Sequence, residues 1–207
     1  MANAVAQPDN TLIRSGNKWY KQKQFDQSLQ QYQKVIQKTP DDPTANYNLG
    51  NAQFRKNGFQ EAVKSYQNSI DHADNDKTRE NSLYNQGVAN IKQQKLEESI
   101  AAWKDALKLD PTDQDARENL QKALQELKNK QQQDKKDDKK EDKKNQDKKE
   151  NKDQKDQQDK QQPPPQSRLT KKQVEQLLKA LQQKENDAQQ KMNQNRVKSL
   201  SQPEKDW

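Results

Sequence analysis

Cysteine is absent from this 207-residue chain, histidine occurs once and glycine four times. Without cysteine there is no disulfide, no thiolate nucleophile and no thiolate metal site, an absence compatible with any compartment. The four glycines fall in no phosphate-loop pattern and leave no nucleotide cradle. The single histidine, His72, stands beside Asp71 and Asp74 and reads as an exposed loop side chain. No apolar run approaches the ~18–20 residues that a membrane span needs. Hydrophobic residues make up 26% of the chain, against roughly 45–50% in ordinary globular domains, so only part of this length can pack a core.

What is present is unevenly distributed. Apolar and aromatic residues cluster between Leu12 and Leu127, and again more thinly between Leu169 and Met192; Lys, Asp, Glu and Gln dominate the stretch between. The formal charge of +7 is spread along the chain with Lys and Asp interleaved. A nucleic-acid binder concentrates its charge in a basic stripe with aromatic platforms, so nucleic acid is not expected as a partner. Met1-Ala2-Asn3-Ala4-Val5-Ala6 looks like small residues beside a signal-peptidase site behind an added Met, or else like a plain disordered N-terminus over residues 1–8.

Three stretches share one pattern. Gly16, Gly50 and Gly87 each open a helix–turn–helix unit, and Gly16 to Gly50 is a step of 34 residues. The first unit places Trp19 and Tyr20 on its first helix, Phe25 at the turn, Ser28 and Tyr32 on the second helix and Pro40 at the end. The second reads Leu49, Gly50, Ala52, Phe54, Phe59, Ala62, Tyr66, and the third Leu83, Gly87, Ile91, Leu96, Ser99, Trp103, Ala106, Pro111. Small residues at Gly16, Gly50, Gly87 and at Ser28, Ala62, Ser99 let the helices of a hairpin approach, and the large ones beside them fill the gap between hairpins. The pattern resembles the tetratricopeptide repeat (TPR), whose period is about 34. The reading is all-α: a TPR solenoid with repeats near 9–42, 43–76 and 80–113 and a capping helix over 114–130, where Leu120, Ala123, Leu124 and Leu127 form one stripe. His72 to Arg79 reads as a longer, looser junction, because the second unit has Asp74 where the others have a closing proline.

Leu12-Ile13-Arg14, Gly16-Asn17, Tyr47-Asn48-Leu49-Gly50-Asn51, Arg117, Asn119-Leu120, the mixed-charge linker and the terminal Glu204-Lys205-Asp206-Trp207 resemble the TPR proteins of the Bat (Bacteroides aerotolerance) operon, the BatC type. That resemblance implies export, a periplasmic or membrane-associated location, and work beside von Willebrand A-domain membrane proteins and a MoxR-type ATPase, with a loose link to oxidative stress. Without a removed leader the location would be cytoplasmic.

A TPR array lines a concave groove with its first helices. The groove-facing positions are Ile13, Asn17, Tyr20 and Lys21, then Tyr47, Asn51 and Arg55, then Tyr84, Val88 and Lys92, with Asn48 and Asn85 flanking. An Asn amide both donates and accepts, so Asn17 and Asn51 suit the backbone of an extended peptide; equally, they suit a bridge between neighbouring helices. On the peptide reading, removing both abolishes binding and spares the melt. Lys21, Arg55 and Lys92 favour an acidic ligand. TPR domains that take chaperone tails use a carboxylate clamp; Asn17 and Asn48 match its asparagines, but Ile13, Asn81 and Asn85 stand where it has Lys or Arg, which disfavours a C-terminal dicarboxylate held in that way.

Residues 131–168 read as a disordered tether. Asp134-Lys135-Lys136-Asp137 and the repeats after it stack like charges at i, i+4, which opposes a helix, and the stretch ends at Pro163-Pro164-Pro165. The final segment, 169–207, regains order. Thr170 with Gln173 forms a capping box and Leu169 with Val174 a hydrophobic staple, opening an amphipathic helix with Val174, Leu177, Leu178, Leu181, Ala188 and Met192 on one face. A lone helix of this kind is marginal in water and needs its own groove, a second copy in a coiled coil, or another protein. Trp207, with Pro203 and Lys205, reads as a docking anchor. The chain reads as no enzyme and needs no cofactor or metal: carboxylate pairs such as Glu97-Glu98 stand on repeat surfaces. Two functions follow, a peptide or protein adaptor and a self-assembling scaffold.

Overall fold

The computed structural model describes residues 10–146 and 169–200, all helical apart from short connections. Residues 1–9, the stretch 147–168 with its prolines, and residues 201–207 with Pro203, Lys205 and Trp207 lie outside the described residues. Helices α1 (Asn10–Lys21), α2 (Phe25–Lys38), α3 (Pro43–Arg55), α4 (Phe59–His72), α5 (Asp76–Ile91), α6 (Leu96–Leu109), α7 (Gln114–Gln146) and α8 (Lys171–Leu200) follow in order. The chain divides inside α7 into two compact units, between Ala123 and Leu124.

In the first unit, α1/α2, α3/α4 and α5/α6 are three antiparallel hairpins, each stacked on the one before through α2 with α3 and α4 with α5. Each hairpin turns through a non-glycine residue in the left-handed region: Lys23, Asn57 and Gln94, with φ of 61, 62 and 60°. The turn closes the same way each time. Gln24 N–H donates to Trp19 O, Gly58 N–H to Gln53 O and Lys95 N–H to Asn90 O, at 2.9–3.0 Å, the six-to-one bond that satisfies a helix C-terminus before the chain reverses. An aromatic pair staples the first two turns, Tyr20 on Phe25 at 5.4 Å and Phe54 on Phe59 at 5.2 Å between ring centroids.

The core is built where one hairpin meets the next. Tyr32 packs with Leu49 and Ala52 of the second hairpin, and Tyr66 with Ala62 and with Ala89 of the third, so the large residues do fill the gaps. α3 begins with Asp42 as its cap, its carboxylate accepting from Ala45 N–H at 2.9 Å, and Pro43 in the first turn, where a missing N–H costs nothing. Asn46, almost fully buried, donates to Pro40 O at 2.8 Å and ties this junction.

Two boundaries differ from the sequence reading. The expected loose junction from His72 to Arg79 is only three residues, because α5 starts at Asp76 and not near residue 80. Asn75 caps it by accepting from Thr78 N–H at 2.8 Å. Arg79 then reaches back to Ala73 O at 2.9 Å and Ile70 O at 3.4 Å, satisfying carbonyls at the end of α4. The extra residues therefore lengthen a helix instead of a loop. His72 is the last residue of α4 and not a loop side chain; its Nδ1 lies 2.9 Å from Asn68 O and its Nε2 3.5 Å from Asp41.

The second difference is at the cap. Asp113 starts α7 by accepting from Ala116 N–H at 3.0 Å, and Leu120, Ala123, Leu124 and Leu127 are all buried as the stripe requires. The helix does not stop at Lys130, however; it continues to Gln146, into the segment read as a disordered tether. Gln and Lys are good helix formers, and no glycine or proline interrupts them before Gln146. In the second unit, Thr170 and Gln173 form the capping box: Thr170 N–H donates to Gln173 Oε1 at 2.8 Å and Gln173 N–H to Thr170 Oγ1 at 3.3 Å. Gln131 Nε2 donates to Leu169 O at 2.9 Å.

Candidate functional site

Besides their hairpin partners, α1, α3 and α5 touch one another in sequence, α3 meeting both α1 and α5. They form one wall, backed in each of the three hairpins by the same device. An aromatic ring from the second helix lies on the glycine of the first, so a Cβ on Gly50 would stand 2.6 Å from Tyr66, and one on Gly87 would stand 2.5 Å from Trp103; Tyr32 covers Gly16 likewise. The ring then reaches the wall. Tyr32 hydroxyl donates to Asn17 Oδ1 at 2.5 Å and Tyr66 hydroxyl to Asn51 Oδ1 at 2.8 Å. Burial raises the pKa of both hydroxyls above the usual 10.0, which keeps them protonated donors. In the third hairpin Val88 stands in the place of the asparagine, and Trp103 Nε1 donates to Tyr84 O at 3.1 Å instead.

The amides continue along the wall. Asn85 Nδ2 donates to Asn51 Oδ1 at 2.9 Å and to Tyr47 hydroxyl at 3.3 Å, while Asn119 at the start of α7 donates to Tyr84 hydroxyl at 3.1 Å. Two adjoining concavities open here. The first, about 250 Å³, is lined by Asn17, Tyr20, Lys21, Tyr32, Asn48 and Asn51. The second, about 200 Å³, runs from Tyr20 and Asn51 past Phe54, Arg55 and Tyr66 to Asn85 and Val88. Shared Tyr20 and Asn51 make them one groove crossing all three inner helices.

The structure thus brings together Asn17, Tyr20, Lys21, Asn48, Asn51, Arg55 and Asn85. It leaves out others. Ile13 is buried with Val35 and Ala45 in the core, Tyr47 packs against Tyr66 at 6.2 Å, Tyr84 lines neither concavity, and Lys92 is exposed beyond the end of α5. Arg55 has its guanidinium 5.0 Å from the centre of the Phe25 ring. Asn17 and Asn51 line the groove and also bridge neighbouring helices by accepting from buried tyrosines, so the expectation that removing both spares the melt is corrected: their loss strips those hydroxyls of a partner. Tyr32, Tyr66 and Phe54 were not foreseen as groove residues. The constant 16-residue spacing from each glycine to its ring was the available signal.

In α8, Val174 is fully buried and Leu177, Leu178 and Leu181 are half-buried, whereas Ala188 and Met192 at the far end of the stripe are exposed. Among the described residues no helix is long and apolar enough to cross a membrane, and no cluster of His, Asp and Glu has metal-binding proximity.

Stacked two-helix units with this wall define a helical repeat protein. The repeats are tetratricopeptide repeats: residues 16–57 match the family model described as TPR repeat and residues 81–113 the one described as tetratricopeptide repeat, and neither model describes an enzyme. No curated protein sequence matches. Among solved structures, the chain is similar to the first TPR of Spaghetti (RPAP3) bound to the HSP90 peptide SRMEEVD, with 26% identity over 60% of this chain and 98% of that one and a TM-score of 0.56. The first TPR domain of human RPAP3 is 27% identical over 59% of this chain and 94% of that one, with a TM-score of 0.54. The N-terminal domain of stress-induced protein-1 from C. elegans shares the fold at 21% identity, covering 59% and 98%, with a TM-score of 0.53.

Proposed function

We propose that this protein is a protein–protein interaction adaptor whose groove takes an extended segment of a partner. The observation that carries the reading is the continuous groove through Tyr20 and Asn51, open along three inner helices and lined by amides and rings. The similar RPAP3 domain was solved with a peptide, which supports the kind of partner. The clamp positions Ile13, Asn81 and Asn85 carry no cation, so the mode of holding differs. A photo-crosslinking side chain at Asn48 in the groove, compared with one at exposed Gln60 on α4, tests this in cells. Discrete protein adducts form from Asn48 and not from Gln60; equal or absent adducts reject the reading.

The finer reading rests on the resemblance to the BatC-type proteins. It is an exported component of a cell-envelope complex with von Willebrand A-domain membrane proteins, linked to aerotolerance, in which α8 and Trp207 form a docking tail. A chain truncated after Gln202 then keeps its TPR melt and loses co-purification with those partners. A scaffold that assembles with itself is the second reading, favoured by the exposed end of the α8 stripe at Met192, 64% exposed. Light scattering at two concentrations separates them: an adaptor stays monomeric and a scaffold grows.

A further inference from the structure

We infer that Asn57–Gly58, in the turn of the second hairpin, is a site of spontaneous deamidation that the folded turn holds in check, so that modification there records irreversibly that the hairpin has opened. The dipeptide occurs once in the chain. Neither residue is demanded by the geometry of the turn. The first and third turns take the same left-handed φ at Lys23 and Gln94 and close with the same bond from Gln24 and Lys95. Asparagine enters that region more readily than lysine or glutamine, which accounts for Asn57. Gly58 has no such reason. Its φ is −77°, against −89° at both Gln24 and Lys95, and a Cβ there would meet nothing closer than 3.3 Å. The other three glycines each lie under a ring with which a Cβ would collide.

What the pair supplies is reactivity. The Gly58 backbone nitrogen attacks Asn57 Cγ, the side-chain nitrogen leaves as ammonia, and a cyclic imide forms. Water then opens the ring at one carbonyl to leave aspartate, or at the other to leave isoaspartate, in which the chain runs through the side-chain carbon. Glycine presents no Cβ to obstruct the attack. Asn57 is exposed, and its side-chain amide has no hydrogen-bond partner among the described residues. The attacking nitrogen, however, is held. Gly58 N–H donates to Gln53 O and Asn57 N–H to Phe54 O, both at 2.9 Å, and the Phe54–Phe59 ring pair spans the turn at 5.2 Å. Ring closure requires Asn57 to rotate out of the conformation these bonds fix. The rate in the native chain is therefore the intrinsic rate multiplied by the fraction of molecules in which the turn has opened.

The product matters because of where it falls. Isoaspartate inserts a methylene into the backbone between α3 and α4, so the bond from Gly58 N–H to Gln53 O no longer closes in its original geometry. Phe54 and Arg55, which line the second concavity, stand immediately before it. A hairpin that has opened and reacted is thus altered at the groove, and refolding does not reverse the change.

The test follows the full chain by peptide mass spectrometry during incubation at neutral pH, in buffer and in denaturing guanidinium chloride, scoring the replacement of amide nitrogen by oxygen at each asparagine. Asn57 is expected to be the fastest to react in denaturant and at least about tenfold slower in the native chain, the ratio reporting the opening of the turn. Gly58→Gln, which copies Gln24 of the first turn, should suppress the Asn57 signal in denaturant, a readout that does not depend on how the variant folds. The modified chain, separated by ion exchange on its added negative charge, should melt below the unmodified one. Equal rates in buffer and denaturant would overturn the protection by the turn. An Asn57 no faster in denaturant than Asn81, which precedes a serine, or a Gly58→Gln chain that reacts as fast as the original, would overturn the site. An unshifted melt of the modified chain would overturn its role as a record of opening.

Discussion

Tyr66 lays its ring on Gly50 and donates its hydroxyl to Asn51 Oδ1 at 2.8 Å, so adjacent residues of α3 receive the two ends of one side chain from α4. The glycine admits the ring and the asparagine satisfies the phenol. Tyr32 repeats the arrangement with Gly16 and Asn17. Packing inside a hairpin and the surface of the groove are thereby the same interaction seen from its two sides, and a change to one is felt in the other.

Asn51→Ala removes the acceptor of a buried hydroxyl and is expected to cost about 1–3 kcal/mol. Tyr66→Phe in the same background should add less than it costs alone, since the bond is already gone. Urea melts of the two single variants and the double variant check this; strictly additive losses would show that the 2.8 Å bond contributes nothing.

Trp103 fills the third hairpin, 3% exposed, with its indole N–H bonded to Tyr84 O. Trp103→Ala is expected to lower stability by roughly 3–5 kcal/mol. Thermal unfolding followed by circular dichroism measures it, and an unshifted transition would contradict the burial described.

Gln94 turns the third hairpin with φ at 60°, a region where a Cβ crowds the following carbonyl. Gln94→Gly relieves that and should stabilise by about 0.5–1 kcal/mol despite the greater freedom of glycine in the unfolded chain. A lower melting temperature for the variant would refute the idea.

Glu80 is 3% exposed and bonded to Lys77 Nζ at 2.8 Å. Burial raises its pKa above the ordinary 4.5; Lys77 opposes the rise and the neighbouring Asp113 adds to it. A carboxyl with a raised folded pKa binds its proton more tightly in the native state, so its contribution is fullest below 4.5 and is lost as pH rises through the folded value. Glu80→Gln should flatten that part of the profile. Urea melts at steps from pH 4 to 7 compare the two chains, and parallel curves would exclude Glu80 as the source.

The repeat architecture was legible because it is written in local terms. Glycine, small and aromatic positions recur at one spacing, and helix periodicity converts that spacing directly into faces. The cap stripe and the Thr170–Gln173 box were readable for the same reason, each being an arrangement within a single helix. The start of α5 was not, because a polar stretch without a closing proline suits either a loop or a helix, and the choice falls to long-range bonds such as Arg79 to Ile70 O. Likewise the run past Lys130 balances helix propensity against like-charge pairs, a contest that composition alone does not decide.

Periodicity and residue size were enough to establish that this chain folds as three TPR hairpins with a cap, since both act over one or two helical turns. Which amide oxygens of the groove are taken from within was decided only in the tertiary structure. Asn17, Asn48 and Asn51 look alike in sequence, yet Tyr32 and Tyr66 take the acceptor oxygens of Asn17 and Asn51, while the Asn48 side chain has no hydrogen-bond partner among the described residues. That assignment depends on rings arriving from another helix, and the directional geometry of a hydrogen bond exists only once the helices have packed.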